Sequence, residues 1–288
     1  MLRWLTRFEI PEGVMLPIAL GLASCVSDPE PVPPKPGTGT VWRTDFDKVN
    51  WLSEWRPKKT GQFGFDNLAI QEEPSSPFGH FLRVSYPKGS SSPRGSRAAG
   101  VRDGGGQFYG TLDGGPVDAL YLRYYVRFEP DFDFVKGGKL PGFYGGTQVS
   151  GGHIPDGTDG FSTRFMWRTS GQGEVYAYLP SSDTFGTSLG RGDFSFTSGK
   201  WQCLEQQVVL NTPGASNGAV RAWLDGKLVY QNDHLLYRTV ASLRIEGVFF
   251  STFFGGGDSS WAPSRDLHAD FAHFATGPER IGCEKASQ

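Results

Sequence analysis

Residues 161–180 read FSTRFMWRTSGQGEVYAYLP. Both halves of this stretch alternate with period two, the pattern of a strand whose two faces meet different surroundings. Phe161, Thr163, Phe165 and Trp167 share one side of the first half, and Val175, Ala177 and Leu179 share one side of the second. The opposite side carries Ser162, Arg164, Met166 and Arg168, then Glu174, Tyr176 and Tyr178. The intervening TSGQG at 169–173 has turn chemistry, so the stretch predicts an antiparallel hairpin. The simplest register pairs Arg168 with Glu174, Met166 with Tyr176 and Arg164 with Tyr178, with cross-strand partners roughly 5 Å apart. One face of the hairpin is core. The other gathers serine, arginine and tyrosine.

The same alternation recurs along the chain. In LYLRYYVRF at 120–128, Leu120, Leu122, Tyr124 and Val126 face one way and Tyr121, Arg123, Tyr125 and Arg127 the other. AVRAWLDGKLVY at 219–230 places Asp225 and Gly226 between two strand runs, as a tight hairpin turn requires. GVFFSTFF at 247–254 is apolar almost throughout and predicts a strand buried on both sides, and FLRVSY at 81–86 and WQCLEQQVVL at 201–210 add further strands. Forty glycines and twenty prolines interrupt the chain too often for long helices. Short turn-linked strands, with no P-loop and no dinucleotide fingerprint, predict an all-β fold: a two-sheet antiparallel sandwich of β jelly-roll, concanavalin A-like type. A chain of 288 residues is long enough to bury such a core without staples.

The formal net charge of −2 provides no global basic field, which argues against nucleic acid as a partner. An anionic ligand must then be held by a local cluster. Residues 88–102 carry Lys88, Arg94, Arg97 and Arg102 with no acid, and read either as a solvated Ser/Gly/Pro loop or as a substrate-facing one. The five histidines are scattered, with no HExxH or Cys/His ligand spacing, so neither a metal nor a cofactor is expected.

The N-terminus reads as a targeting segment. VMLPIALGLA at 14–23 is too short to span a bilayer and the right length for a signal-peptide core. It follows Arg3 and Arg7 and ends in Leu22-Ala23-Ser24-Cys25, which resembles a bacterial lipobox with Cys25 as the lipidated first residue. SDPEPVPPKPGTGT at 27–40 is a Pro-rich tether that cannot pack. The expected organisation is a lipoprotein signal peptide at 1–24, a tether at 25–40 and one domain at 41–288. Val26 stands where an inner-membrane retention signal places Asp, so the expectation is an exported monomer, held at the outer membrane or cell surface only through its lipid. Cys203 and Cys283 are an isolated pair, readable as one disulfide tying the C-terminal tail to a core strand, or as two buried thiols.

KGGKLPGFYGG at 136–146 adds a lysine, Lys139 or Lys136, to the polar face. Its glycines and proline read as a loop whose backbone approaches something closely. Lysine, serine, arginine and tyrosine together can grip and deprotonate an acidic sugar. Breaking a polyuronate by β-elimination requires neutralising the carboxylate so that the enediolate is stabilised, a base for the C5 proton and an acid for the departing O4. A cation beside a tyrosine allows that phenol to serve as base or acid.

KGGKLPGFYGG, FSTRFMWR and EVYAYLP, followed by GKWQCLEQQVVLNTPG at 199–214, DGKLVY at 225–230 and GVFFSTFFGGGDSSWAP at 247–263, together resemble the polysaccharide lyase family 14 domain. That family includes alginate lyases and glucuronan-type lyases, and family 20 glucuronan lyases look similar. The resemblance covers about 41–274. It implies a jelly roll with a cleft, and metal-independent β-elimination on an acidic polysaccharide. It also implies that Lys139 and Arg164 neutralise the carboxylate, that Ser162 hydrogen-bonds the sugar, and that Tyr176 and Tyr178 supply base and acid in an undetermined order. Gln107 and Arg168 are further substrate-binding candidates; Gln107 can equally be a satisfied strand residue. His153 lies in the adjoining 147–160 loop, either exposed or reaching the cleft. Two other readings compete. A non-catalytic carbohydrate-binding surface protein would need neither the lysine nor both tyrosines. A laminarinase-like hydrolase needs two carboxylates about 5 Å apart, and no E-x-D-x-x-E run is present.

Overall fold

Strands with one apolar face must stack those faces together, and two sheets do so here. The computed structural model describes residues 42–147 and 150–284. The signal segment, Cys25 and the tether lie outside the described residues. In chain order the strands are β1 (Trp42–Thr44), β2 (Leu68–Glu72), β3 (His80–Tyr86), β4 (Gly106–Thr111), β5 (Ala119–Phe128), β6 (Gly137–Gly146) and β7 (Gly160–Arg168). They continue as β8 (Gln172–Tyr178), β9 (Thr187–Ser195), β10 (Trp201–Val209), β11 (Gly218–Leu224), β12 (Lys227–Leu235), β13 (Gly247–Phe254) and β14 (Leu267–Gly277). One sheet has the order β12-β11-β10-β5-β14-β3-β2, with β1 added against β14; the other has the order β4-β13-β6-β7-β8-β9. Every pairing is antiparallel. This is the expected two-sheet sandwich.

The core lies between the sheets. Leu122, Tyr124, Val126 and Phe128 of β5 meet Phe161, Phe165 and Trp167 of β7, with Val175 and Ala177 of β8 and Phe250 of β13. These are the faces that the period-two pattern marked as apolar. The turn between β11 and β12 is Asp225-Gly226, both left-handed, with φ of 50° and 80°. The basic stretch at 88–102 contains a short helix, Pro93–Ala98, whose cap Ser92 accepts a hydrogen bond from Gly95 N at 3.2 Å; Arg94 and Arg97 stay exposed.

Two expectations are corrected. The hairpin register pairs Ser162 with Tyr178, Arg164 with Tyr176 and Met166 with Glu174, two residues from the expected one. The turn is shorter than TSGQG: it occupies Thr169–Gly171, with Ser170 and Gly171 left-handed at φ 58° and 77°, and Gln172 already belongs to β8. A shift of two keeps every side chain on its expected face, because the strand period is two.

The second correction concerns KGGKLPGFYGG, which is not a loop. Residues 137–146 form a strand between β13 and β7. A proline cannot donate to the ladder and is tolerated inside a sheet at a bulge; the register of β6 shifts across Pro141 against both neighbours. The glycines serve close packing. A Cβ at Gly138 would lie 2.1 Å from Trp167 Cζ2, and one at Gly142 would lie 2.0 Å from Thr163 O.

The C-terminal tail straps the outer face of β5 and β10. Cys203 and Cys283 are joined in a disulfide that closes an 80-residue separation. Glu205, itself buried, accepts from Ile281 N at 2.7 Å and Gly282 N at 3.2 Å. Arg123 donates to Glu284 at 2.7 Å, and this tail is why Arg123 and Tyr125, on the face opposite the core, are buried. Replacing Cys283 by Ser is expected to lower stability by about 2–5 kcal/mol. Denaturant midpoints for the variant and for wild type with and without dithiothreitol measure this; equal midpoints would refute a stabilising strap.

Candidate active site

The core side of β7 and β8 fixes what the other side presents. Because Phe165 and Trp167 point into the sandwich, Ser162, Arg164, Met166 and Arg168 point away from it, and Glu174, Tyr176 and Tyr178 stand beside them on β8. Tyr144, Met166, Tyr176, Tyr178 and Phe249 pack as a buried cluster separate from the main core, edged by Tyr109, Ile154 and Trp261.

Arg164 lies within this cluster and is 1% exposed. Its guanidinium carbon is 4.7 Å from the centre of the Phe249 ring and 6.0 Å from that of Tyr178. Nη1 donates to Ser251 Oγ at 3.1 Å, Ser251 Oγ donates to Gln107 Oε1 at 3.0 Å, and Gln107 Nε2 donates to Gly61 O at 2.7 Å. Gln107 thus reaches Arg164 through Ser251. Arg164 Nε is buried with no hydrogen-bond partner among the described residues. Burial pulls the guanidinium below the usual arginine range, opposed by Tyr178, Tyr109 and Tyr176. A donor held dry and under-satisfied binds an anion strongly.

Lys139 projects from β6 into the same cluster. Its Nζ lies 3.2 Å from Met166 Sδ and 4.4 Å from the centre of the Tyr176 ring. Burial drives its pKa well below the ordinary 10.5; Arg164 and Arg168 push it further down, and Glu174 opposes them. Lys136 is exposed at the start of the strand and donates to Ser260 Oγ at 2.6 Å. Of the two candidate lysines, Lys139 is the one in the cluster.

The tyrosine rings meet edge to face, their centres 5.7 Å apart. Burial and the neighbouring Tyr178 raise the Tyr176 pKa, against Arg164 and Arg168, so this phenol is protonated at neutral pH. Tyr178 Oη accepts from Gly152 N at 3.2 Å. A Cβ at Gly186 would come within 2.9 Å of both rings, so glycine is what lets the chain cover them. Ser162 is buried opposite Tyr178 in the register.

Arg168 forms the expected pair with Glu174, at 2.9 Å through Nε and 2.6 Å through Nη2, as a diagonal neighbour instead of a direct cross-strand partner. Its guanidinium carbon is 5.6 Å from the centre of the Tyr176 ring. His153 is exposed and pairs with Asp159 at 2.6 Å. Three basic side chains therefore converge on two tyrosines with one carboxylate between them. Among the described residues no group of three or more His, Cys, Asp or Glu side chains is placed to hold a metal.

The family described as polysaccharide lyase 14 matches residues 75–274, a span that contains every cluster side chain named above. The chain belongs to polysaccharide lyase family 14. It is similar to the crystal structure of a marine family 14 alginate lyase from Aplysia kurodai, with 34% identity over 78% of this chain and 92% of that one and a TM-score of 0.69. The alginate lyase Aly36B, solved as a lysine and tyrosine double mutant with an alginate tetrasaccharide, shares the fold at 21% identity, 86% and 99% coverage and a TM-score of 0.66. An endo-β-1,4-glucuronan lyase from the fungus Trichoderma reesei shares it at 10% identity, 83% and 94% coverage and a TM-score of 0.52. No curated protein matches the chain in sequence.

In this lyase, Ser251, Phe249, Tyr109 and Tyr144 belong to the site and the sequence reading did not single them out. Phe249 and Ser251 alternate with the core residues Val248 and Phe250, a faint signal drowned by an almost wholly apolar strand. Lys139 yields a pH-dependent test. Its folded pKa lies below its unfolded value, so between the two the unfolded chain binds more protons and stability rises with pH. The cost is full below the folded pKa and gone above 10.5. Lys139→Met is therefore expected to stabilise the fold at pH 6, with a smaller gain near pH 10. Urea midpoints at the two pH values check this; a gain independent of pH would contradict it.

Proposed function

We propose that this lyase cleaves a polyuronate, alginate in the first place and glucuronan as the alternative, by metal-independent β-elimination. The observation that carries the reading is the dry cluster in which Lys139 and Arg164 lie against the rings of Tyr176 and Tyr178. The substrate preference follows the relatives: the one sharing 34% identity is an alginate lyase, while the glucuronan lyase shares 10%.

In the proposed reaction the uronate carboxylate sits against Arg164 Nε and the Lys139 ammonium. The anion restores the charge on Lys139 that burial had disfavoured. With the carboxylate neutralised, the C5–H bond breaks and its electron pair moves into the enediolate. The C4–O4 bond then breaks, the C4=C5 double bond forms, and the leaving O4 takes a proton. One tyrosine accepts the C5 proton and the other donates to O4; the protonated state of Tyr176 suits it to donation. Ser162 and Arg168 would hold the sugar beside them. Gln107 would act on Arg164 through Ser251.

Incubation with alginate, polyglucuronate and hyaluronan while following the ultraviolet absorbance of the unsaturated uronate tests the reading. Activity on alginate that survives a chelator is expected, with Tyr178→Phe and Lys139→Ala each reducing the rate about 10²–10⁴-fold. Binding without product from any of these polymers would instead identify a carbohydrate-binding protein.

We also propose that the protein is an exported lipoprotein acylated at Cys25, on the strength of the Leu22–Cys25 motif and the Pro-rich tether. Cys25→Ala is expected to abolish palmitate labelling and to move the protein from the detergent phase to the aqueous phase; unchanged partitioning would overturn this.

A further inference from the structure

Lys136 is left unused by the reaction, yet it precedes β6 by one residue and Lys139 by three. Three residues of chain span at most about 10 Å, so its backbone lies within that distance of the Lys139 backbone. Lys136 is exposed, and donates to Ser260 Oγ at 2.6 Å. The next residue, Trp261, is half-buried, packed against the cluster of Met166, Tyr176 and Tyr178.

The loop that carries Trp261 is a built feature. Gly255 N donates to Gly137 O at 3.0 Å, seating the loop on the first residue of β6. Gly256 has φ 151°, and a Cβ there would lie 2.2 Å from Trp261 Cε2, so glycine lets the backbone lie against the indole. Asp258 accepts from Ser260 N at 2.8 Å and from Ser260 Oγ. Those bonds, with a smaller contribution from Lys136, hold its carboxyl below the usual carboxylate range. The acid of this loop is thus engaged in its own turn.

We infer that Trp261 and Lys136 form a sugar-binding subsite that takes a uronate unit of the polymer beyond the bond being cleaved. The inference rests on the polyuronate reading above. A pyranose has an apolar face of C–H bonds that packs on an indole, and a uronate adds one carboxylate at its edge. A half-buried tryptophan flanked by an exposed lysine matches both parts of that unit, whereas a neutral sugar would use only the ring. The subsite adds affinity for the chain and none for the reacting atoms, so its contribution appears in KM.

The test compares wild type, Trp261→Ala and Lys136→Ala on alginate oligosaccharides of increasing length and on the polymer, with kcat and KM separated. KM on the polymer is expected to rise about 3–10-fold in each variant, with kcat within about twofold, and the penalty is expected to shrink as the substrate shortens. The Lys136→Ala penalty should also shrink at high salt, as an exposed charge contact does, and Lys136→Arg should restore KM. A loss of kcat equal at all lengths, or an unchanged KM, overturns the subsite. Trp261→Phe serves if the alanine variant does not fold, with a smaller penalty of the same length dependence expected. Affinity electrophoresis in alginate gels, in a Tyr178→Phe background, separates this inference from the lyase reading. Weaker retardation on adding either substitution supports the subsite without any turnover, and undiminished retardation overturns it even in an active enzyme.

Discussion

Two basic side chains buried on an aromatic surface are the constraint around which this site is arranged. Arg164 and Lys139 lie on strands whose opposite faces are locked into the sandwich core, so neither can swing out to water without disturbing Phe165, Trp167 or the bulge at Pro141. Holding charge there is costly. The cost is offset in part by the ring faces of Phe249, Tyr176 and Tyr178 and by the Ser251–Gln107 chain. What remains is a buried arginine donor, Arg164 Nε, with no hydrogen-bond partner among the described residues. The depressed pKa of Lys139 and the elevated one of Tyr176 have this common origin: burial disfavours the charged form of each.

The rest of the molecule supports that arrangement. The eight-stranded sheet, with the C-terminal strap across its outer face, is the platform against which the six-stranded sheet packs. Glycines at Gly138 and Gly142 allow β6 to come close enough to β7 for Lys139 to reach Met166 and the Tyr176 ring. Gly186 allows the chain to lie on both tyrosines. A marine alginate lyase and a fungal glucuronan lyase are built on the same sandwich. The fold therefore does not choose the polymer.

Legibility differed between the parts for physical reasons. The hairpin at 161–180 displayed its two faces because apolar and polar residues alternate strictly there, and the face of each side chain held even though the register was two residues off. β6 was misread because glycine and proline carry turn chemistry in isolation. Their reason here is the close approach of Trp167 and Thr163 from the neighbouring strand, which exists only once the sheet is assembled. Ser251 was missed because four phenylalanines and a valine hide the alternation of β13, while Gln107 was seen without its partner.

The sequence by itself determined the fold class, the faces of the main strands and the residue types of the site, because period-two patterning and a Lys, Ser, Arg, Tyr set are local properties. Only the tertiary structure decided which lysine enters the cluster, how β7 and β8 are registered, that Gln107 reaches Arg164 through Ser251, and that Trp261 stands beside Lys136. Those facts depend on turn length, on the bulge at Pro141 and on contacts between strands distant in sequence. They also set the burial that shifts the lysine, arginine and tyrosine side chains of this cluster away from their ordinary protonation behaviour.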